Sequence, residues 1–306
     1  GLLFFSIALM ITGAVAYWLK EWAFSVVIIA LLLWKFVPEP TREVPYHAAF
    51  GMDYSTNAPY KLDTLRSLTN EASVLKDKQQ TIQILEKWRA KFPKEHKPKL
   101  VLTAVSGGGI RSAIWTLRTL QFADSASGGS LSKHTMLFTG SSGGLIGAAY
   151  YRELYLQSLQ NQLEQPLHSA TYIDNIGKDK LNSTILSLVV TDLLFRFQTF
   201  NLGDKQYYKD RGYAWERQML KDLDFTLDKP LHAYREVEQQ AQIPMMIIAP
   251  TITNDGRKLY ISSQNISYMN AGKAYGITSK EEMIRGIEFR QFFREQQADS
   301  LRFITA

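Results

Sequence analysis

Two apolar runs open the chain, and short apolar runs alternating with amphipathic stretches make up most of the rest. Residues 1–19 carry no charge, and residues 22–37 carry only Lys35. A helix that spans a bilayer needs about 20 mostly apolar residues. The first run meets that length. The second falls slightly short, and Lys35 can extend it by carrying its ammonium to the headgroups. Tyr17, Trp18 and Trp22 gather around Lys20-Glu21, and Trp34 stands near the far end, as in an interfacial aromatic belt. The pattern predicts a transmembrane helical hairpin over residues 1–37, turning at Lys20-Glu21. A signal peptide followed by one anchor fits less well, because there is no basic leader or small-residue cleavage site. Lys35 and Arg42 outweigh the single Lys20 of the turn, which favours a cytoplasmic main domain. Gly1 in place of Met points to a fragment or processed form.

Residues 38–97 read as a connector with amphipathic helices. Pro38-Glu39-Pro40 ends the second helix, and a polar stretch runs to about Pro59. Over 61–92, Leu62, Leu65, Leu68, Ile82, Ile84, Leu85 and Trp88 recur at helical spacing. From residue 98 the pattern changes. Leu100–Val105 and Met136–Thr139 read as strands, each followed by a glycine turn and a helix. Ser125–Ser132 reads as a flexible loop. Helical periodicity returns at 145–163, 180–196 and 213–223. Pro244–Pro250 is a buried-looking strand, and Asn254-Asp255-Gly256 before Arg257–Ser262 signals a hairpin. The alternation predicts an α/β domain with a mainly parallel sheet over 98–306.

The chain has 306 residues, no cysteine, and a net charge of +6. The absence of cysteine excludes disulfides, a thiol nucleophile and cysteine zinc sites. The five histidines are scattered without metal-binding spacing, which argues against a metalloenzyme. The mild basic excess suits an anionic membrane surface. No basic stripe with interleaved aromatics stands out to suggest nucleic acid.

The chemistry concentrates in two glycine motifs. Gly140-Ser141-Ser142-Gly143-Gly144 fits G-x-S-x-G, the sharp strand-to-helix turn that exposes a nucleophilic serine, here Ser142. Ser106-Gly107-Gly108-Gly109-Ile110-Arg111-Ser112 offers backbone N–H groups at a helix start, as an oxyanion requires. Gly107, Gly108 and Gly109 are the candidate oxyanion hole, and Arg111 is a candidate support for that loop. Ser141 reads as a turn residue, and Ser106 is a less suited alternative hydroxyl. A dinucleotide loop fails because Ser112 stands where the third glycine belongs, and no G-K-[ST] ending makes a P-loop. No base is evident: His168 and His232 lie outside a strand-end context, and Asp255 reads as a hairpin turn.

S-G-G-G-I-R followed by G-S-S-G-G, with Ala148–Tyr155 behind it and Asp210-Arg211-Gly212-Tyr213 further on, resembles the patatin-like phospholipase family, in particular its membrane-attached bacterial branch. The resemblance covers roughly residues 98–306. It implies a three-layer α/β/α fold and a Ser–Asp dyad without histidine. It also implies hydrolysis of phospholipid or lysophospholipid acyl esters, with no metal or organic cofactor. The implied partners are membrane lipid and the bilayer, at a bacterial inner membrane. Ser142 matches the nucleophile of that family, and Gly107, Gly108, Gly109 and Arg111 match its anion loop. The family's aspartate lies in an Asp-Gly motif after the segment that Leu301–Ala306 begins to resemble, so the catalytic aspartate is expected beyond Ala306.

Overall fold

A computed structural model describes residues 2–35, 44–68, 70–194, 196–272 and 283–306. Pro38-Glu39-Pro40 and Arg42 lie outside the described residues. The chain divides into two compact units, 1–47 with 179–215, and 48–178 with 216–306. Residues 179–215 fall in the unit that holds the N-terminal helices.

In that first unit, α1 (Leu2–Leu19) and α2 (Ala23–Lys35) flank a single 3-10 turn, Lys20–Trp22. Lys20 adopts φ 47° there, so the helix breaks where the charges are. The helix–turn–helix is present, but the transmembrane assignment is not supported. Among the described residues no helix is long and apolar enough to cross a membrane. At ~1.5 Å per residue, α1 reaches about 27 Å and α2 about 20 Å, against a hydrocarbon core of ~30 Å.

The second unit begins with α3 (Leu62–Ser67) and α4 (Glu71–Ala90). The single periodic stretch expected over 61–92 is broken where the Asn70 side chain accepts the Ser73 N–H at 2.8 Å and starts a new helix. Leu65, Ile84 and Trp88 are buried, whereas Leu62 and Ile82 face solvent. The core strands and their helices follow in β-α order. They are β1 (Val101–Val105), α5 (Gly109–Ala126), α6 (Ser130–His134), β2 (Thr135–Gly140), α7 (Ser142–Leu159) and α8 (Thr171–Gly177). The expected loop at Ser125–Ser132 shrinks to a turn, because Gly128 and Gly129 take left-handed φ and the chain re-enters a helix at Ser130.

Back in the first unit, α9 (Leu181–Ser187) runs into a π-helical turn, Leu188–Leu194. The antiparallel hairpin of β3 (Thr199–Leu202) and β4 (Lys205–Tyr208) closes at Gly203-Asp204, with Gly203 at φ 62°. Beyond it come α10 (Arg211–Asp222), α11 (Arg235–Gln239) and β5 (Met245–Ile248). The C-terminal part adds β6 (Lys258–Tyr260), β7 (Ala271–Gly272), β8 (Met283–Ile284), β9 (Gly286–Glu288) and α12 (Phe289–Phe292).

The central sheet has the order β1-β2-β5 and both pairings are parallel, as the β-α alternation predicts. Parallel pairing brings the C-terminal ends of β1 and β2 side by side, with Val105 opposite Gly140. Met136, Met245 and Ile247 form a core with Ile84 and Trp88 of α4. The turn at Asn254-Asp255-Gly256 also forms: Ile252 and Arg257 are hydrogen-bonded across it, and Ile248 bridges Ile261 antiparallel.

Candidate active site

The two glycine motifs meet at the C-terminal edge of the sheet. β2 ends at Gly140, whose φ of 153° and approach to Val105 exclude any side chain: a Cβ there would lie 2.3 Å from the Val105 carbonyl oxygen. Ser141 remains extended and donates its N–H to that oxygen at 3.1 Å. Ser142 then turns the chain into α7 at φ 50°. A left-handed non-glycine residue costs about 1–2 kcal/mol, and such strain gathers at functional turns. The residue is exposed, and its hydroxyl makes no hydrogen bond among the described residues.

The loop Gly107–Gly109 lies against this turn. A Cβ on Gly107 would be 3.1 Å from the Cβ of Ser142. The amides of Gly107, Gly108 and Gly109 donate no hydrogen bond within the described residues, so all three are free for a ligand. The loop is held from below, where Ser112 Oγ donates to the Ser106 carbonyl at 2.6 Å. Two 18-residue helices, α5 and α7, start here, so the positive ends of both macrodipoles fall at the same place. Arg111, in the first turn of α5, is exposed and has no hydrogen-bond or ion-pair partner among the described residues.

The small residues at the start of α7 make a close backbone contact. Their close partner is the glycine loop and α5 rather than the sheet. A Cβ on Gly143 would fall 1.9 Å from Gly109 O, one on Gly144 2.2 Å from Ser106 O, and one on Gly147 2.3 Å from Ala113 O. Three glycines on one helix face thus let two backbones touch, which fixes Ser142 relative to the loop amides.

The candidate bases lie elsewhere. His168 Nε2 is 3.1 Å from Asp124 Oδ2, near the far end of α5. Asp124 is 15 residues past Gly109, about 22 Å along the helix. His232 pairs through Nδ1 with the Asp299 carbonyl at 2.9 Å. Its neighbour Tyr234 stacks on Arg152, ten residues and about 15 Å along α7 from Ser142. Asp255 accepts from Tyr60 at 2.7 Å and from the Arg257 N–H at 3.1 Å. These bonds, with the Arg257 guanidinium, hold its carboxyl below the usual aspartate range. It is a turn residue, as expected, and a poor proton acceptor.

Sequence reasoning missed two polar clusters. Inside the second unit, Arg152 and Glu153 of α7 are fully buried. Arg152 Nη1 donates to Glu238 and, at 3.0 Å, to the Pro244 carbonyl. Glu153 accepts from Lys229 at 2.6 Å and from Tyr234 at 2.8 Å. Burial, then the charge of Glu153, pushes the Tyr234 phenol well above its ordinary value. In the first unit, His47 Nδ1 lies 2.7 Å from Asp210 Oδ2, and Asp210 Oδ1 accepts the Tyr213 N–H at 2.8 Å. The Asp210-Arg211-Gly212-Tyr213 motif is therefore a helix cap for α10. Charge of either sign inside a regular helical pattern gives no sign of burial, so the Arg152–Glu153 cluster could not be read from spacing. Among the described residues no group of three or more histidine, aspartate or glutamate side chains could hold a metal ion.

Comparison of the chain with protein-family profiles, with curated proteins and with solved structures finds no match.

Proposed function

We propose that the protein is a serine acyl hydrolase of patatin-like type that cleaves lipid acyl esters. The observation that carries this reading is Ser142, exposed at φ 50° and packed against Gly107, the first of three loop glycines whose amides donate no hydrogen bond among the described residues. In the proposed reaction the Ser142 hydroxyl attacks the ester carbonyl and loses its proton to an aspartate. The amides of Gly107–Gly109 take up the developing oxyanion. The acyl-serine is then hydrolysed by water, with the same carboxylate moving the proton. Arg111 supports the anion loop at the start of α5. The apolar helices α1 and α2, with Phe5, Met10, Trp18 and Phe24 exposed on them and Trp22 in the turn between, support attachment to a bilayer from which the substrate is drawn. On this reading the hydrolase domain faces the cytoplasm.

The test is reaction with a fluorophosphonate probe and mass-spectrometric mapping of the adduct. The expected adduct is on Ser142, is lost in Ser142→Ala and is kept in Ser141→Ala. An adduct on another serine would reject the assignment. A second reading, a membrane scaffold with an idle serine, draws on the absence of any described group hydrogen-bonded to the Ser142 hydroxyl. Stoichiometric labelling of Ser142 would exclude it.

A further inference from the structure

The outer face of α5 carries a stripe that runs well beyond Arg111, the one residue of it given to the reaction. Arg111, Trp115, Arg118 and Phe122 recur at spacings of four, three and four, which at ~100° per residue confines them to an arc of about 60° over about 17 Å. The buried residues Ala113, Thr116, Leu117, Leu120, Gln121 and Asp124 lie on the opposite side of the same helix. Trp115 is 73% exposed and Phe122 67% exposed. A surface helix ordinarily turns charged and polar residues outward. Here the outward stripe alternates guanidinium with large aromatic rings. Neither Arg111 nor Arg118 has a hydrogen-bond or ion-pair partner among the described residues.

We propose that this stripe is a docking surface for an anionic lipid bilayer, with Trp115 and Phe122 entering the interface and Arg111 and Arg118 meeting lipid phosphates. Charge complementarity selects that occupant. Two unpaired guanidiniums flank aromatic rings on a chain of net charge +6, the composition of a helix lying in a headgroup layer. The stripe also begins in the turn of α5 that follows the Gly107–Gly109 loop, so a docked bilayer would lie alongside the anion cradle. Its consequence for turnover rests on the lipid-ester reading, but the docking itself does not.

Because the chain lacks cysteine, a single Ser125→Cys substitution, exposed on the same face, takes an environment-sensitive fluorophore without background. The full chain is mixed with vesicles of phosphatidylcholine alone or enriched in phosphatidylglycerol, each containing doxyl-labelled phosphatidylcholine. Doxyl quenching of the fluorophore is expected with phosphatidylglycerol and not without it. The affinity it reads should weaken about fivefold with Arg118→Gln and further with Trp115→Ser and Phe122→Ser combined. The same variants should keep the turnover of a soluble short-chain ester while losing that of vesicle lipid. Because a serine without its base turns over slowly, the hydrolase reading is decided by fluorophosphonate labelling of Ser142 in the same samples, and the quenching decides the docking. Absence of quenching in phosphatidylglycerol vesicles overturns the proposal. So does quenching unaffected by these substitutions, or a signal that follows protein concentration rather than vesicle composition, which marks a contact between copies.

Discussion

Replacing Gly143 with alanine tests the contact that sets the site. The added Cβ would sit 1.9 Å from the Gly109 carbonyl oxygen, where ordinary contact starts at 3.4 Å. The two backbones must therefore part by about 1.5 Å, and no rotamer can relieve the clash because both atoms are fixed to main chain. Overpacking of this kind costs about 1–3 kcal/mol, and a backbone neighbour places it at the upper end. The functional loss should be larger than the stability loss, because a misplacement of ~1 Å costs about 100-fold in rate. The assay is the second-order rate of fluorophosphonate labelling beside the thermal midpoint by circular dichroism. Two controls separate geometry from stability. Gly147→Ala meets Ala113 O at 2.3 Å, so it should destabilise comparably. It lies about 6 Å further along α7 and should label far closer to the wild-type rate. Gly109→Ala has open space at φ 61° and should cost only about 1–2 kcal/mol from its left-handed backbone. Wild-type labelling and an unchanged midpoint in Gly143→Ala would refute the abutment of loop and elbow, and with it the oxyanion assignment.

Further expectations concern the base, the buried charges and the membrane. Among the described residues no base is hydrogen-bonded to Ser142, and a serine without a positioned base is a weak nucleophile, so ester turnover should be slow, and His168→Ala, His232→Ala and Asp255→Asn should leave it unchanged; a large loss from any of the three in folded protein would identify a base within this chain. Glu288 is buried, and desolvation raises its carboxyl to about 7, against the lowering effects of the Gln291 N–H and the Arg290 charge, while Asp77 raises it further. The folded state therefore holds a proton that the unfolded state releases, so stability from this group falls as pH rises from about 4.5 to 7, by about 3 kcal/mol in all. Glu288→Gln should raise the urea midpoint at pH 8 and leave it nearly unchanged at pH 4, and the reverse order would refute the protonated state. Glu238→Leu strands the Arg152 guanidinium in the core and should cost about 3–5 kcal/mol by urea unfolding. The exposed apolar side chains of α1 and α2 should hold the protein in the membrane pellet, so Phe5→Ser, Met10→Ser and Phe24→Ser combined should shift it to the supernatant, and an unchanged distribution would count against attachment through these helices.

The bends around the site were legible in the sequence because they depend on short-range necessity. A strand, a glycine turn and a helix at Thr135–Ala148 can form only one kind of bend, so Ser142 stands exposed whatever surrounds it. The Asn254-Asp255-Gly256 turn was equally plain, since Gly256 supplies its left-handed φ of 79°. Parallel order followed from strands separated by helices. Other features depended on what packs against what. That Gly143, Gly144 and Gly147 face α5 and its loop, rather than the sheet, is set by the crossing of two helices whose partners lie more than 30 residues apart. Arg152 and Glu153 look like solvent residues in a helical pattern. Only the convergence of Glu238, Pro244, Lys229 and Tyr234 makes their burial affordable, because a charge can leave water only where partners replace its hydration. Residues 179–215 carry the same helical periodicity as their neighbours, so periodicity could not assign them to the N-terminal unit. Sequence determined the bends and the exposed serine; long-range packing decided which backbones touch, which charges are buried, and which face of α5 is left to solvent.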